Sequence, residues 1–306
     1  MRILVTGGAG FIGSHLTESL VKAGHQVYVL DDLSSGRREY VAAGAELHIV
    51  DIRDAEAMAK ICQKIKPEVV YHLAGLKNLR KAIDQPVEDA EVNILGSLNV
   101  LNLNKDWCKQ IIFSSSAAVY GEATPPVAET AVPKPLTPYG IAKLAIEYYL
   151  QFFQRQYGIK TCILRFANVY GPRQDPNGEA GVISLFMSAA LHNQPLTING
   201  DGSQTRDYIY VSDIVKALIK AMGQSGIYNL GTGVETSLLS VIEHLRQLHQ
   251  APINIQSRSA IAGEVKRWQS DWQQAKQHLA WLPEITIEQG MQIMYQWMKN
   301  NYQINQ

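Results

Sequence analysis

One short stretch near the start of the chain, Thr6-Gly7-Gly8-Ala9-Gly10-Phe11-Ile12-Gly13, restricts the possible folds more than any other. An apolar, β-branched run (residues 3–6) leads into it, and Ile12, Leu16 and Leu20 follow at helical spacing, with Gly24 placed to end the helix. A strand therefore turns directly into a helix. Gly7, Gly10 and Gly13 stand three apart, and Gly8-x-Gly10-x-x-Gly13 is the spacing that lets a strand turn sharply, a backbone approach a diphosphate and a helix pack on a sheet. The N-terminus of that helix, at Phe11 and Ile12, then faces the anion.

The same alternation repeats. Apolar runs at 3–6, 27–31, 46–51, 68–73, 110–114 and 161–166 alternate with helical patterns, which reads as a series of βαβ units with buried parallel strands. Right-handed crossovers make this a doubly wound parallel α/β sheet of the Rossmann kind. Near Gly171-Pro172 the periodicity breaks, with Pro176, Asn177, Gly178 and Gly181 following. The expectation is a dinucleotide-binding domain over residues 1–170 and a smaller C-terminal substrate-binding domain over 171–306, with the segment around 207–232 returning to the first. Within that segment Asp207 to Asp213 alternates like a strand, and Ser212 or Asp213 would cap the helix that runs on to Met222.

Basic and acidic residues both number 28, so the formal charge is zero and a polyanion or anionic membrane is not the expected partner. Cys62, Cys108 and Cys162 lie far apart, as expected of reduced thiols in the cytoplasm, and neither a leader nor a spanning segment is expected. His244 and His249, five apart, would point to different sides of a helix, so no metal site is expected.

Asp31 ends the second apolar run, 18 residues after Gly13. A carboxylate there can accept both hydroxyls of an adenosine ribose and would repel a 2′-phosphate, which favours NAD over NADP. Arg37 and Arg38 are the counterargument, but they lie in the following loop and read as a solvated turn. Asp51-Ile52 ends the third strand, where Asp51 either contacts adenine or caps the next helix. Leu73-Ala74-Gly75 ends the fourth strand beside the cofactor.

Tyr139 and Lys143 follow Pro138 and share one helical face. A free tyrosine has a pKa of about 10, and a neighbouring ammonium favours its phenolate. That is the requirement for a general base acting on an alcohol. Ser116, ending the fifth strand, can bond the same oxygen. An ordinary helix pair is the competing reading of Tyr139 and Lys143.

With these residues in order, the chain resembles the extended short-chain dehydrogenase/reductase family, in its NAD-dependent epimerase/dehydratase group, and within it the nucleotide-sugar epimerases of the UDP-glucose 4-epimerase kind. The resemblance runs nearly the full length. Besides the glycine turn it includes Asp31-Asp-Leu-Ser-Ser-Gly36, His72-Leu-Ala-Gly-Leu-Lys77, Phe113-Ser-Ser-Ser-Ala-Ala-Val-Tyr-Gly121, Pro138-Tyr-Gly-Ile-Ala-Lys143, Leu164 to Arg173 and Gln204-Thr-Arg-Asp-Tyr208. It implies NAD contacts from Asp32, Ser35, Gly36, Lys77, Asn93 and Ser114 in addition to those above. It also implies substrate contacts from Lys77, Ser116, Tyr139, Asn168 and Arg206, with Arg206 on the diphosphate. A salt bridge to Asp207 or Asp213 is the other reading of Arg206, and Arg173 is a weaker candidate that could be an ion pair at the lobe boundary.

Two departures narrow the class that the resemblance implies. Related dehydratases follow the hydroxyl residue with Asp-Glu, and related decarboxylases tend to carry Glu at the second position. Here stand Ala117 and Ala118, which carry no protons. The segment from Gly263 to Trp268 matches the part of the family that gates N-acetylated sugars, with Trp268 at the gate or simply packed in the core. Ile261 replaces an Arg of relatives, so a diphosphate contact is missing or comes from Arg258.

The resemblance thus implies reversible inversion at C4 of a UDP-hexose, UDP-glucose or UDP-galactose, through a 4-keto sugar. Tyr139 would act as base, Ser116 would align the oxygen and Lys143 would tune Tyr139 and hold the nicotinamide ribose. The alternatives are a 4-epimerase of UDP-glucuronate, a UDP-N-acetylhexosamine or a dTDP-deoxysugar, or a non-catalytic NAD sensor. Ile141, Leu144, Ala145, Tyr148, Tyr149, Leu150, Phe152 and Phe153 make an apolar surface too broad for one core face. The resemblance implies that this helix and the one over 92–103 form the twofold contact of a homodimer.

Overall fold

The computed structural model describes residues 1–77, 79–176, 181–260 and 265–302. Asn177, Gly178, Ile261 and the start of the 263–268 segment lie outside them. The chain runs β1 (Arg2–Thr6), α1 (Phe11–Lys22), β2 (Gln26–Asp31), β3 (Glu46–Ile49), α2 (Ala55–Ile65), β4 (Val69–His72), α3 (Leu79–Asp84), α4 (Pro86–Ala90), a π-helical segment (Glu91–Gly96), α5 (Ser97–Asn104), β5 (Gln110–Ser116), α6 (Pro138–Tyr157) and β6 (Lys160–Phe166). It continues through β7 (Asn168–Tyr170), α7 (Val182–Leu191), β8 (Leu196–Asn199), β9 (Thr205–Arg206), β10 (Tyr208–Tyr210), α8 (Val211–Lys220), β11 (Gly226–Leu230), β12 (Thr236–Ser237), α9 (Leu238–His249), β13 (Ile255–Arg258), α10 (Gln273–Leu279) and α11 (Ile287–Tyr302).

Seven strands form one parallel sheet in the order β11-β6-β5-β4-β1-β2-β3. This is the doubly wound α/β sheet expected from the alternating runs. Side chains alternate across it: Ile3 and Val5 pack with α1 and α8 on one face, whereas Leu4, Val70, Ile111 and Phe113 pack with α2, α5 and α6 on the other. Burial on both faces explains why these strands read as nearly continuous apolar runs. The core under α1 and α8 continues into α7, α9 and α11, while β7–β10, β8–β13 and β9–β12 form small separate pairs.

Chain order reverses between β1 and β4, which opens a crevice at the carboxyl ends of the strands. The turns leaving β1 and β4 meet there, where Leu73 N donates to Thr6 O (3.1 Å), and Gly7 N ties the first turn to Leu30 O of β2 (2.8 Å).

Two candidate helix caps, one of them the alternative to an adenine contact at Asp51, are corrected. Asp54, not Asp51, caps α2 by accepting from Ala57 N, because β3 stops at Ile49 and the turn carries the chain three residues further. Helix α8 begins at Val211 with no side-chain cap. Asp213 lies inside its first turn and instead accepts from Glu284 N and Ile285 N (both 2.9 Å), satisfying backbone groups of the C-terminal segment.

An ideal Cβ on Gly13 would lie 2.1 Å from Gly7 O. Alanine normally stabilises a helix relative to glycine by about 1 kcal/mol. Gly13→Ala should instead lower stability by about 2 kcal/mol or more, since backbone cannot move aside cheaply, and chemical denaturation reads the sign directly.

Candidate active site

The first turn is built to receive an anion. Gly10 N closes the turn onto Gly7 O (3.2 Å), and α1 then begins with neither a capping side chain nor an acid in its first turn. The free N–H groups at Phe11, Ile12 and Gly13 and the positive end of the helix dipole therefore point at the crevice. Asp31 is buried beside them; Ala9 N donates to Oδ2 and Leu33 N to Oδ1 (both 2.9 Å). Burial raises the Asp31 pKa, and these two bonds oppose the shift. A carboxylate has about four acceptor positions, so those that remain can take ribose hydroxyls. Gly36 lies against this carboxylate, and Ser35 is exposed beside it.

Other predicted residues also make local bonds. Asp32 Oδ1 accepts from Ser34 N and Oγ (2.9 and 2.7 Å), and the Arg53 side chain donates to Asp51 at 2.5 to 3.1 Å, which lowers the Asp51 pKa. Ile52 is buried, its carbonyl accepting from Asn99 Nδ2.

Behind Leu73-Ala74-Gly75 runs a polar relay that sequence reasoning missed. Ala74 N donates to Thr6 Oγ1 (3.3 Å), and Thr6 Oγ1 meets His72 Nδ1 (2.7 Å). His72 Nε2 meets Ser97 Oγ (2.8 Å), which donates to Asn93 O (2.7 Å). These partners assign the proton to Nε2, and burial holds the imidazole neutral by pushing its pKa down to about 3. Asn93 sits in the π-helical segment. Its Nδ2 donates to Leu76 O (2.9 Å) and Asp89 Oδ1 (2.8 Å), which fixes the amide orientation. Asn93 Oδ1 is then left buried with no hydrogen-bond partner among the described residues. Gly75 adopts φ +156°, and a Cβ there would lie 2.5 Å from that oxygen, so the site needs glycine.

The chemistry-bearing groups come from the next two elements. On β5, Ser114 Oγ donates to His72 O (3.1 Å), while Ser116 Oγ accepts from Ala118 N (3.1 Å) and keeps its own proton. Thr137 caps α6 through Gly140 N (3.2 Å) and Pro138 opens it, which places Tyr139 in the first turn. Lys143 Nζ lies 5.7 Å from the centre of the Tyr139 ring and 4.7 Å from that of Phe113. The lysine is buried, and burial pushes its pKa down to about 8 against the pull of Asp89 and Glu147. It is therefore largely an ammonium at neutral pH, beside a half-exposed phenol.

The residues expected to meet substrate are more dispersed. Asn168 is exposed at the start of β7, and its N donates to Asp207 O (2.9 Å). Lys77 is exposed, with Nζ 5.9 Å from the Phe11 ring. Arg206 Nη1 donates to Thr205 O (2.8 Å), while the Asp207 carboxylate accepts from Thr232, Gly233 and Ser270. Arg258 is exposed on β13. Trp268 is only 4% exposed: it packs with Val119, Tyr120 and Val127, and its Nε1 donates to Ser270 Oγ (3.2 Å). Arg173 pairs with Glu18 at 2.5 Å. The three cysteines are free and buried, and the described residues hold no metal-ligand cluster.

Residues 3–231 match the family model described as NAD dependent epimerase/dehydratase family. The chain belongs to this family. Among solved structures, UDP-glucose 4-epimerase of Thermotoga maritima with UDP-glucose superposes with a TM-score of 0.96 at 40% identity, covering 99% of this chain and 100% of that one. The Thermus thermophilus UDP-glucose 4-epimerase complexed with NAD gives 0.93 at 36% identity, covering 98% and 99%. The UDP-glucose 4-epimerase of Mycolicibacterium smegmatis is 37% identical over 316 residues, covering 99% of this chain and 100% of the relative. The NAD of this family fits the residues present: an uncapped helix terminus for the diphosphate, a buried carboxylate for a ribose and an orphaned amide oxygen that needs a donor.

The depressed Lys143 pKa has a stability consequence. The unfolded chain, with an ordinary lysine pKa of 10.5, binds more protons than the folded one above about pH 8. The cost of burying the ammonium is thus fully present below pH 8 and disappears as pH rises through 10.5. Lys143→Met should raise stability at pH 7 by up to about 3 kcal/mol while abolishing activity, and the gain should shrink at alkaline pH in paired denaturation curves.

Proposed function

We propose that the chain is a 4-epimerase of a UDP-hexose that interconverts UDP-glucose and UDP-galactose. The observation that carries this reading is Tyr139 beside the buried Lys143, at the crevice edge that also presents Ser116. The glycine turn through Gly13 would hold the cofactor diphosphate, with Asp31 on a ribose and Gly75, Asn93 and Lys143 at the nicotinamide end. NAD supplies a reversible hydride acceptor at the sugar carbon. Tyr139 takes the C4 hydroxyl proton and later returns one. Ser116 donates its free proton to the same oxygen. Lys143 favours the phenolate by its charge. The resulting 4-keto sugar must turn in the pocket before reduction at the opposite face.

Ala117 and Ala118 supply no acid or base, which favours epimerisation over loss of water. Arg206 would meet the diphosphate and Asn168 the sugar nucleotide. Arg258 would replace a contact missing at Ile261. Trp268 packs against Tyr120 at 5.6 Å and is enclosed with Val119 and Val127, so the preference for a sugar without an acetamido group rests on the resemblance of its segment.

Purified protein should convert UDP-galactose without added cofactor, with little conversion of UDP-N-acetylgalactosamine or UDP-galacturonate, as followed by proton NMR. Tyr139→Phe should cut turnover by about 10²-fold or more. Near-normal turnover in that variant, or conversion of only the other sugars, would refute the assignment.

A homodimer completes the reading. Leu150 and Phe153 point into the core, whereas Ile141 (53%), Tyr148 (61%) and Phe152 (45%) of α6 remain exposed, as do Val87 (71%) and Leu95 (57%) on the neighbouring α4 and π-helical segment. This apolar face suits a twofold helical contact. Sedimentation at micromolar concentration should give twice the chain mass and Tyr148→Glu should give monomer; monomer alone for the unaltered protein contradicts the dimer.

A further inference from the structure

A buried ion pair lies between α6 and the sheet, outside the chemistry just described. Glu147 is one helical turn beyond Lys143 and projects from the same face. It and Arg165 of β6 are almost wholly buried, at 1% and 4% side-chain exposure. Arg165 Nε donates to Glu147 Oε1 (2.9 Å) and Nη2 to Oε2 (2.6 Å). Glu147 Oε1 also accepts from Ser115 Oγ (2.5 Å), the residue between Ser114 and Ser116. The third arm of Arg165 reaches Tyr120 Oη (2.7 Å), which donates to Asn229 Oδ1 (2.8 Å). One carboxylate thus joins the helix carrying Tyr139 and Lys143 to the strand carrying Ser116.

Packing alone does not call for charges here, since apolar residues of similar volume usually replace a buried pair without loss of stability. The orientation of the pair is what matters. The carboxylate is on α6, on the face shared with Lys143, and the guanidinium is on β6. A lone buried carboxylate would take up a proton and lose its field, whereas a guanidinium cannot release its own. Arg165 therefore anchors the Glu147 carboxylate through two bonds.

We propose that Glu147, held in place by Arg165 and Ser115 one helical turn beyond Lys143, is a positioning residue whose carboxylate favours the Lys143 ammonium beside Tyr139. This deepens the reading of Lys143 as the partner of Tyr139 and rests on it. Lys143 is also faced by Asp89 from α4, His72 from β4 and Tyr139 from its own helix, and Arg165 by Tyr120 and Glu129. Of these, Asp89 and Glu147 favour the ammonium.

The test uses Glu147→Gln, which keeps the side-chain shape, and a Glu147→Leu/Arg165→Met double variant, which keeps the packing, so that loss of one to unfolding leaves the other. With lysines labelled at Cε with carbon-13, the Lys143 resonance, identified by its loss in Lys143→Arg, is titrated by NMR beside the pH profile of kcat. Glu147→Gln should titrate Lys143 lower by about one pH unit and move the alkaline limb of kcat with it, while the double variant, which also removes the opposing guanidinium charge, should titrate Lys143 lower by less and unfold near the unaltered midpoint. An unmoved Lys143 titration, with or without lost stability, overturns the proposal and leaves the pair as a clamp. A displaced titration in a protein inactive on every UDP-sugar supports the coupling and refutes the functional reading instead.

Discussion

A protonated lysine kept out of water is the constraint around which the crevice is arranged. Burial works against the Lys143 ammonium, and the surroundings recover it with the carboxylates of Asp89 and Glu147 and the face of Phe113. Each of these supports comes from a different layer: α4, α6 and β5. Their positions in turn depend on the sheet order, because only adjacent β4, β5 and β6 bring His72, Ser115 and Arg165 under one helix. A fold that cared only for stability would place an apolar residue at this position. The lysine is retained at a cost, which points to its chemistry.

Neutral groups line the same part of the crevice, where an added Cβ on Gly75 would lie 2.5 Å from Asn93 Oδ1 and 3.6 Å from Lys143 Nζ. The relay from Ala74 through Thr6, His72 and Ser97 to Asn93 has a donor for each acceptor, so its geometry is determined. It ties the ends of β1 and β4 to the π-helical segment and leaves Asn93 Oδ1 as the one unmatched atom among its described members. An uncapped helix start and an orphaned amide oxygen are both incomplete by themselves. NAD brings a diphosphate and a carboxamide, the two kinds of group that would complete them.

Features encoded locally were legible in the chain. The βαβ series, the glycine turn, Asp31 and the Tyr139–Lys143 spacing each depend on a period or a short motif, and the structure places them at one crevice. Features that depend on distant partners were not legible. Asp51 and Asp213 looked like caps because Asp commonly is one; Arg53 and the backbone of Glu284 and Ile285 claimed them instead. Glu147 was visible only as a charge among Ile146, Leu150 and Phe153 on the buried face of α6, a signal that marks a buried partner without naming Arg165. Trp268 offered both a gate and a core reading from sequence, and its packing against Tyr120 shows that the ring is largely enclosed.

The central claim is that this crevice moves a hydride at a carbinol carbon, with Tyr139 handling only the hydroxyl proton. The most direct test is to incubate UDP-galactose carrying deuterium at C4 with the protein in ordinary water and to follow the label through to UDP-glucose by NMR and mass spectrometry. Retention of the deuterium at C4 in the product is the predicted result. Replacement of the label by solvent hydrogen during inversion would mean that the carbon loses a proton instead, and would contradict the account.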